Sequence, residues 1–463
     1  MKNILIVSSQ AQRFLDQIYL AQELKYKNDD LNIFFFVEDE VNNKYQNVIN
    51  KLEFKIINTL DKQKYRINQK KSFKTQLKNI IPLQQKKILI EYINNFRNLK
   101  IFEKKLIKEE KYFLDDLEKK YDCISELVRK NKIEVILING DRHLGYEPIF
   151  LKISKKFNIP TIIPYLVYFA EEETLFKSRN TKFRKSMMTS SYIKQSEKKF
   201  ILHKREEVFY YSHTIANALE KFGIITKNPW FMGSGLSDII CLANENMKKY
   251  YVKNGVEKEK IRITGDVSYD KLYYKYMEKE DLKENIINKY KLCKDKQNII
   301  ISLPQLGEHN ILPWKEHWKE INFLMDNIDS LKQNILVSLH PKMDKNKYLF
   351  LEDRYNCKIL EERLVDILVV ADIFVATFSS TVIWSVLCGI KTLVIDFYGL
   401  NYTIFDFLTS IIKVDNKKLL KHNLNNILAS NIDFTQDWQS LSKNEVFDGK
   451  TIERYSNIIE DVK

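Results

Sequence analysis

Apolar runs of strand length alternate along the chain with amphipathic segments of helix length. The first run, 3–7 (NILIV), is followed by a helical pattern over 14–24 and by a second run, 31–37 (LNIFFFV). Continuous apolar runs bounded by polar turns are typical of strands that are covered on both faces of a parallel sheet. Strand, helix and strand from the first residues therefore predict a doubly wound α/β domain.

The alternation is interrupted between residues 51 and 132. This stretch is rich in lysine and carries apolar residues at helical spacing, such as Ile90, Ile93 and Phe96. The pattern predicts long amphipathic helices inserted into the first domain. A basic amphipathic helix lies on a membrane surface in some proteins and is a solvated helix packed on one side in others, and both interpretations stay open.

Strand-like runs resume after the insertion, and a second series predicts a second α/β domain. The runs are 133–138 (IEVILI) and 159–165, and then 298–303, 334–339, 357–360, 373–377 and 391–395. Between the two series, residues 178–206 are polar and basic and predict a loop with a helix. We place an N-terminal domain at 1–265 with its insertion at about 50–132, a C-terminal domain at 266–440, and a helix at 441–463 that returns to the first domain. Gly265-Asp266 is the predicted hinge.

Composition limits the classes of protein that this chain fits. Its 463 residues are 44% hydrophobic, and its 5 cysteines show no CxxC spacing, which argues against a zinc site or a disulfide framework. No apolar run reaches the length of a membrane span or a signal peptide, so we expect a cytoplasmic protein. The net charge of +14 fits an anionic membrane surface or a polyanionic substrate, and peripheral contact with the inner face of the membrane stays open. Motifs for nucleic-acid binding are missing, so nucleic acid is not expected.

The stretch 365–399 carries the clearest candidate chemistry. A buried strand, 373–377 (IFVAT), runs into Ser379-Ser380-Thr381, which precede a short helix that ends at Gly389. Serine and threonine cap helix N-termini, and the free N–H groups there bind anions, phosphates above all. The stretch therefore predicts either a phosphate site or a capped structural crossover.

Other strand ends of the second domain offer related groups. Ligands of open α/β sheets bind at the carboxyl ends of the strands. The polar residues expected there are Gln305, the run His340-Pro341-Lys342, and Glu361. Together with the hydroxyls they predict a site for a nucleotide phosphate, with a carboxylate for the ribose and without a metal or other cofactor.

The first domain offers acidic residues at two strand ends. Asp141 and Arg142 follow the run 133–138, and Glu171 and Glu172 follow the run 159–165. Glu38-Asp39-Glu40 also ends a strand, but acidic residues are common at this position and we predict no metal there. The nucleotide-binding pattern GxGxxG, the P-loop and the GxSxG elbow are missing, which disfavours nicotinamide oxidoreductases, P-loop NTPases and α/β-hydrolases.

Two segments resemble a known family. SLHPK (338–342) and ADIFVATFSSTVIWSVLCGIKTLVID (371–396) are similar to the C-terminal domain of GT-B glycosyltransferases that build bacterial surface polysaccharides. The similar groups are sialyltransferases and polysialyltransferases, capsule Kdo transferases, and CDP-glycerol glycerophosphotransferases. His340-Pro341 and Ser379-Ser380-Thr381 match, in order, the motifs that hold cytidine monophosphate in the sialyltransferases. The segment NPWFMGSGLSD (228–238) also resembles this class, and the resemblance spans about 228–399.

The resemblance implies a GT-B fold, in which two Rossmann-like doubly wound domains face a cleft. It implies transfer of a sugar, most simply a CMP-activated ulosonic acid, to a glycan or lipid-linked glycan of the cell surface. Asp141 is then the expected base, with Glu171–Glu173 as reserve. Arg142, Glu171 and Glu172 are expected on the acceptor side, while His340 and Lys342 stabilise the leaving phosphate. Trp384-Ser385 occupy the place where the family carries an acidic residue, so the base is expected outside this helix.

Three alternatives remain open at this point. A CDP-polyol phosphate or UDP-sugar transferase would use the same fold. An epimerase of the UDP-N-acetylglucosamine 2-epimerase type would change a nucleotide sugar without an acceptor. A non-catalytic scaffold of the polysaccharide machinery would bind no nucleotide.

Overall fold

The protein forms two compact units. The computed structural model describes residues 2–11, 13–57, 96–142, 144–166, 200–203, 206–224, 226, 228–309, 311–340, 343–377, 379–398 and 405–462. Unit 1 comprises Met1–Cys241, Lys248–Arg262 and Tyr455–Lys463, and unit 2 comprises Leu242–Met247 and Ile263–Arg454.

Unit 1 is built on a seven-stranded sheet. Its strands are β1 Lys2–Ser8, β2 Leu31–Val37, β3 Lys55–Ile56, β4 Val135–Leu137, β5 Thr161–Ile163, β8 Ile239–Leu242 and β9 Ile261–Ile263, and the chain between β5 and β8 adds an antiparallel hairpin of β6 Phe200–His203 and β7 Glu206–Phe209. The order in the sheet is β3-β2-β1-β4-β5-β8-β9, and the pairings from β3 through β8 are parallel. The apolar runs therefore form the predicted parallel sheet.

The helices of this part of the chain follow the predicted alternation. They are α1 Phe14–Lys27, α2 Asp39–Ile49, α3 Phe96–Lys130, α4 Glu147–Phe157, α5 His213–Phe222 and α6 Glu245–Lys253. Helix α4 begins with a proline in its first turn, where the missing N–H is harmless, and it ends at Asn158 in the left-handed region. The 35-residue helix α3 lies in the predicted helical insertion, whereas residues 58–95 lie outside the described part of the chain.

Two predictions for unit 1 are wrong in detail. Strand β3 lies inside the stretch expected to be helical, because the apolar Ile56 pairs beside Phe35 at the sheet edge. The hairpin of β6 and β7 occupies the end of the segment expected to be a loop with a helix. The two strands pair antiparallel, with His203 opposite Glu206. Such short local pairing leaves no long periodic pattern in a sequence.

Unit 2 is built on a six-stranded parallel sheet. Its strands are β10 Asn298–Ser302, β11 Asn334–Ser338, β12 Cys357–Ile359, β13 Ile373–Ala376, β14 Lys391–Ile395 and β15 Ile411–Val414. The order is β12-β11-β10-β13-β14-β15, and each neighbouring pair is parallel. Strand β15 is missing from the sequence prediction, because only Val414 of its four residues is buried and the pattern is weak.

Side chains alternate between two cores on the faces of this sheet. Ile300 and Phe374 lie in one apolar cluster, whereas Ile299, Ile301 and Val375 lie in the other. Burial of each such side chain contributes roughly 1.5 to 3 kcal/mol to folding. The covering helices are α7 Tyr269–Met277, α8 Lys279–Tyr290, α9 Trp314–Asp329, α10 Phe350–Arg354, α11 Leu364–Ile367, α12 Thr381–Leu387, α13 Leu420–Ala429, α14 Thr435–Ser440 and α15 Lys443–Val446.

The last helix, α16, spans Thr451–Asp461, and residues from Tyr455 onward belong to unit 1. The Tyr455 side chain is fully buried, and its hydroxyl accepts a hydrogen bond from the backbone N–H of Tyr165 at 2.9 Å. Lys2 Nζ donates to the carbonyls of Ile459 and Val462 at 2.5 and 2.7 Å. These contacts fasten the end of the chain to the sheet of unit 1.

No helix in the described part of the chain is both long and apolar enough to cross a membrane.

Candidate functional site

The strand order of unit 2 has a switch point beside its first strand, and a ligand crevice is expected there. Strands β11 and β13 flank β10, with Ile301 paired to Val337 on one side and to Val375 on the other. Strands β11 and β12 lie on one side of β10, and strands β13, β14 and β15 lie on the other. The loops that follow β10 and β13 therefore lead in opposite directions. Ligands of open α/β sheets bind at this switch point, outside the carboxyl ends of the strands.

The loop after β13 brings hydroxyl groups to this crevice. Ser379 Oγ lies 2.7 Å from Thr381 Oγ1 and accepts the backbone N–H of Thr381 at 3.3 Å. Ser380 is exposed and follows directly. Glycine ends the helix as predicted, since Gly389 has a φ of +69°.

The capping of helix α12 differs from the prediction in one respect. Ser380 occupies the N-cap position of α12 but makes no capping bond through its side chain, and Ser379 does this instead. Helix α12 has only 7 residues, and its buried face packs through Val382, Val386 and Leu387. Because so short a helix carries a small macrodipole, the predicted phosphate site depends chiefly on the hydroxyl groups of this loop.

Strand β11, on the other side of β10, contributes His340. It lies two residues beyond β11 and is half-buried, with its backbone N–H donating to Met343 Sδ at 3.3 Å and its carbonyl accepting from Met343 N at 2.8 Å. These contacts fix the backbone of His340 just beyond the carboxyl end of β11. Pro341 and Lys342 lie outside the described residues, so their phosphate contacts stay predictions.

The loop after β10 contributes Gln305, whose Oε1 lies 2.7 Å from His309 Nε2. Gln305, His340 and Ser379 thus follow three adjacent strands, which are spaced about 4.8 Å apart in such a sheet. The structure therefore brings these three predicted residues to one edge of the sheet, in the order β11, β10, β13.

A buried series of hydrogen bonds through His317 and Tyr348 stabilises the loop after β10. Gly307 N donates to His317 Nδ1 at 3.3 Å, so His317 Nε2 carries the proton and donates to Tyr348 Oη at 2.9 Å. Tyr348 then donates to Glu308 Oε1 at 2.7 Å. Burial lowers the pKa of His317, which favours the neutral imidazole. Each hydrogen bond of this series then keeps the same donor and acceptor.

Glu361 lies apart from this group. It follows β12, the edge strand, and pairs with Lys289 of α8 at 2.9 Å. The Lys289 ammonium lowers the pKa of this exposed carboxyl. Its role as a ribose ligand stays a prediction.

In unit 1, Asp141 anchors a loop. Its side chain is 3% exposed and accepts hydrogen bonds from Gly233 N at 2.9 Å, Gly235 N at 2.7 Å and Ser237 Oγ at 2.9 Å. A Cβ on Gly235 would lie 2.7 Å from Asp141 Oδ2, so glycine is required for this approach. The carboxylate therefore holds the loop NPWFMGSGLSD, and its role as a base stays a prediction.

The remaining predicted residues of unit 1 divide into two groups. Arg142 is buried, donates to the carbonyl of Trp230, and lies 5.5 Å from the centre of the Tyr210 ring. Its contacts are those of a structural residue, and its acceptor role stays a prediction. Glu171 and Glu172 lie outside the described residues.

Sequence reasoning missed a pair of carboxylates at the same edge of unit 1. A Cβ on Gly145 would lie 2.5 Å from Glu38 Oε1 and 3.0 Å from Glu147 Oε2, so both carboxylates pack against this glycine and leave no room for a side chain there. Burial, followed by repulsion from Glu147, raises the pKa of Glu38 to about 7. Burial also raises the pKa of Glu147. Glu38 was visible as the end of an apolar strand, but nothing in the sequence connects it to the first residue of α4.

Known structures share the whole architecture. A UDP-GlcNAc 2-epimerase from Methanocaldococcus jannaschii matches at a TM-score of 0.51 and 12% identity, over 99% of each chain. A UDP-GlcNAc 2-epimerase from Neisseria meningitidis, solved with UDP-GlcNAc bound, matches at 0.50 and 10% identity over 100% of this chain and 99% of that one. The spinosyn rhamnosyltransferase SpnG matches at 0.50 and 9% identity over 99% of this chain and all (100%) of that one.

This chain has a GT-B fold. The fold class expected from the sequence is confirmed, and it is the fold that glycosyltransferases and epimerases share. No family model and no curated protein sequence matches the chain. At these identities the likeness concerns the fold alone, so function has to be argued from the residues of the site.

Proposed function

We propose that this protein is a glycosyltransferase that takes a sugar from a nucleotide donor bound at the crevice of unit 2. The observation that carries the proposal is that Gln305, His340 and Ser379–Thr381 follow the carboxyl ends of three adjacent strands, β10, β11 and β13. Hydroxyls and an imidazole are donors that suit phosphate oxygens. The GT-B fold supports the proposal, because this fold occurs in a rhamnosyltransferase.

The reaction needs stabilisation of the departing nucleotide phosphate. In this proposal Ser379, Ser380 and Thr381 donate to the phosphate oxygens, and His340 stabilises the charge that develops as the bond to the anomeric carbon breaks. Lys342 adds a cation to the same phosphate. The resemblance of His340-Pro341 and Ser379-Ser380-Thr381 to the sialyltransferase motifs supports cytidine monophosphate as leaving group, and hence a CMP-activated ulosonic acid as donor. The acceptor is a surface glycan of a capsule, lipopolysaccharide or glycoprotein.

A nucleotide-binding experiment tests the donor site directly. We expect CMP to raise the melting temperature of the wild-type protein, by the equivalent of about 2.7 kcal/mol at a concentration one hundred times Kd. Ser380→Ala and His340→Ala should lose most of this shift. Ser330→Ala is the matched control, since Ser330 is an equally exposed serine beyond α9, at the opposite end of the sheet.

Two results would contradict the donor site. If CMP, CDP and UDP all failed to shift the wild-type protein, the scaffold interpretation would be favoured. If Ser380→Ala and His340→Ala kept both nucleotide binding and transfer, the nucleotide would bind elsewhere. A larger shift with CDP or UDP than with CMP would retain the site and change the donor to a CDP-polyol or a UDP-sugar.

Epimerisation is the second candidate, because two structures with this fold are UDP-GlcNAc 2-epimerases. The two reactions differ in their need for an acceptor. A transferase releases the nucleotide in proportion to glycan product and leaves the donor sugar unchanged when no acceptor is present. Conversion of UDP-N-acetylglucosamine in the absence of an acceptor, followed by NMR, would overturn the transferase proposal in favour of the epimerase.

A further inference from the structure

A pocket of about 610 Å³ lies in unit 2, between helix α9 and the segment that follows β11. The described residues that line it are Trp314, Trp318, Asn322, Lys347 and Phe350. The first three are spaced four residues apart, so they lie on one face of α9. A volume of this size is ordinary for a pocket that binds a small molecule. None of these five residues belongs to the proposed donor site, so the pocket is a candidate site of its own.

The tryptophans of this pocket are held in place by packing. A Cβ on Gly307 would lie 3.0 Å from the Trp314 ring, so this indole packs against the loop after β10. The Trp318 ring contacts the rings of Tyr348 and Phe350, with centroids 4.9 and 5.5 Å apart. Trp314 is nevertheless 40% exposed. Because the aromatic lining is already ordered, little conformational entropy is lost when a ligand binds there.

The polar groups of the lining are hydrogen-bond donors. In the part of the chain that the structure describes, the indole N–H groups of Trp314 and Trp318 have no acceptor. The Asn322 side-chain oxygen lies 3.3 Å from Tyr355 Oη, and its NH₂ group has no acceptor among the same residues. None of the five lining residues carries a carboxylate. The pocket therefore suits a ligand that offers hydrogen-bond acceptors.

Lys347 adds a positive charge to this pocket. It is exposed, its Nζ lies 4.7 Å from the centre of the Trp314 ring, and it forms no ion pair within the described ranges. Asp326, one turn beyond Asn322 on α9, accepts the Tyr355 hydroxyl at 2.8 Å. An ammonium without a counter-ion beside several unpaired donors favours an anionic ligand.

The geometry of the rings distinguishes a sugar from a nucleobase. The Trp314 and Trp318 rings are inclined by 34°, and the Phe350 ring stands at 80° to the Trp318 ring. These pairs leave no parallel slot for a flat base. A sugar ring has an apolar face of C–H groups and oxygen acceptors around its rim, so it can lie against an indole while nearby N–H groups bind its oxygens. A carboxylate on that sugar would complement the Lys347 charge.

We propose that this pocket binds a glycan through a sugar residue that carries a carboxylate. The carboxylate pairs with the Lys347 ammonium, and the C–H face of the sugar packs against Trp314 and Trp318. Because Trp314 packs against Gly307, the glycan is held beside the loop that carries Gln305. The inference goes beyond the proposed transferase function and does not depend on it, since glycan binding is measured without a nucleotide.

Calorimetric titration of the whole chain tests the site. The probes are trisaccharides that contain sialic acid, Kdo or galacturonic acid, each compared with its carboxyl-reduced form, in which a neutral CH₂OH group replaces the carboxylate. We expect at least one acidic trisaccharide to bind about tenfold more tightly than its reduced form. This preference should decrease between about 50 and about 500 mM salt, because salt screens the charge of an exposed lysine.

Two substitutions separate the charge from the aromatic face. Lys347→Ala should abolish the preference for the acidic form and leave the affinity for the reduced form unchanged. Trp314→Ala should weaken the binding of both forms by about tenfold, because it removes apolar contact area. Should Trp314→Ala disturb the loop at Gly307, Trp314→Phe provides a second measurement, with a smaller loss for both forms.

Matched control variants leave the pocket intact. Lys345→Ala changes another exposed lysine of the same turn, Lys345–Lys347. Tyr26→Ala changes an aromatic residue of unit 1 that is 87% exposed. Both variants should bind the trisaccharides like the wild-type protein, and melting temperatures verify that every variant is folded.

Several results would overturn the inference. They are the absence of binding by all three acidic trisaccharides at millimolar concentration, equal affinity for acidic and reduced forms, and full binding by both Lys347→Ala and Trp314→Ala. Displacement of the trisaccharide by CMP would assign the pocket to the nucleotide. Sedimentation with phosphatidylglycerol vesicles that both substitutions abolish, without trisaccharide binding, would assign it to a membrane surface.

Failure of this inference is distinguishable from failure of the proposed function. A protein that binds a nucleotide but no acidic trisaccharide would retain the donor site and lose the glycan site. A protein that binds an acidic trisaccharide in this pocket but no nucleotide would retain the glycan site alone.

Discussion

Unit 1 and unit 2 share a strand order but present opposite chemistry at their crevices. In each sheet the second and fourth strands of the unit flank the first, so equivalent loops border the switch point. Unit 1 places the carboxylates of Glu38 and Glu147 there, whereas unit 2 places the hydroxyls of Ser379–Thr381 and the imidazole of His340. Topology determines where a ligand binds, and the loop residues determine its class.

The buried carboxylates of the protein also differ in how many hydrogen-bond donors they have. Asp141 is satisfied by three donors, and Asp437 of unit 2 is similarly satisfied by the N–H and hydroxyl groups of Thr409 and Ser410. Glu147 keeps one oxygen without a partner among the described residues. A fully satisfied carboxylate stabilises a loop, whereas a buried carboxylate oxygen without a donor costs folding free energy.

The largest expected effect is a loss of stability at Asp141, and it distinguishes a residue that anchors a loop from a catalytic base. Asp141→Ala leaves Gly233 N, Gly235 N and Ser237 Oγ without their acceptor, and should lower the free energy of unfolding by about 3 to 5 kcal/mol. Urea denaturation measures this loss, with Asp437→Ala as a comparable anchor in unit 2. Full stability combined with lost turnover would restore Asp141 as the base.

A smaller effect of opposite sign is expected at Glu38. Its pKa of about 7 exceeds the ordinary 4.5, so the folded state binds a proton more tightly and stability falls as pH rises between these values. Glu38→Gln removes this dependence and should be more stable than wild type at pH 8 by roughly 2 to 3 kcal/mol, with little difference at pH 4.5. Guanidinium unfolding at both pH values measures it. Equal stability at pH 8 would mean that the carboxylate is solvated.

In unit 2, Ser379→Ala tests the loop after β13. The backbone N–H of Thr381 loses its acceptor, and we expect stability to fall by about 1 kcal/mol. The thermal shift by nucleotide should fall as well, because Ser379 is one of the proposed phosphate donors. A loss of stability with full nucleotide binding would reduce Ser379 to a helix cap.

The smallest effect is expected at Glu361, on the far edge of the same sheet. Its ion pair with Lys289 is exposed, and such pairs contribute little. Glu361→Gln should leave the melting temperature unchanged. A tenfold loss of nucleotide affinity in this variant would support the predicted ribose contact and extend the site from β10 across to β12.

The sequence alone determined the architecture of unit 2 and the strand-end position of the residues proposed to bind the donor. Runs such as 31–37 and 391–395 coincide with strands, because short continuous apolar segments bounded by turns are typical of strands that a parallel sheet buries on both faces. Polar residues directly after such runs, as at His340 and Ser379, had to lie at the carboxyl edge. This part of the site follows from local sequence order.

Only the tertiary structure decided how the acidic residues are used. Asp141 and Glu38 both follow apolar strands, yet one meets a glycine loop 92 to 96 residues away and the other meets Glu147. Which hydrogen-bond donors reach a carboxylate depends on contacts between loops that are distant in the sequence. The periodicity of apolar residues does not predict such contacts. The same reason hid strand β15, whose pairing with β14 is decided by the sheet and not by its own weak pattern.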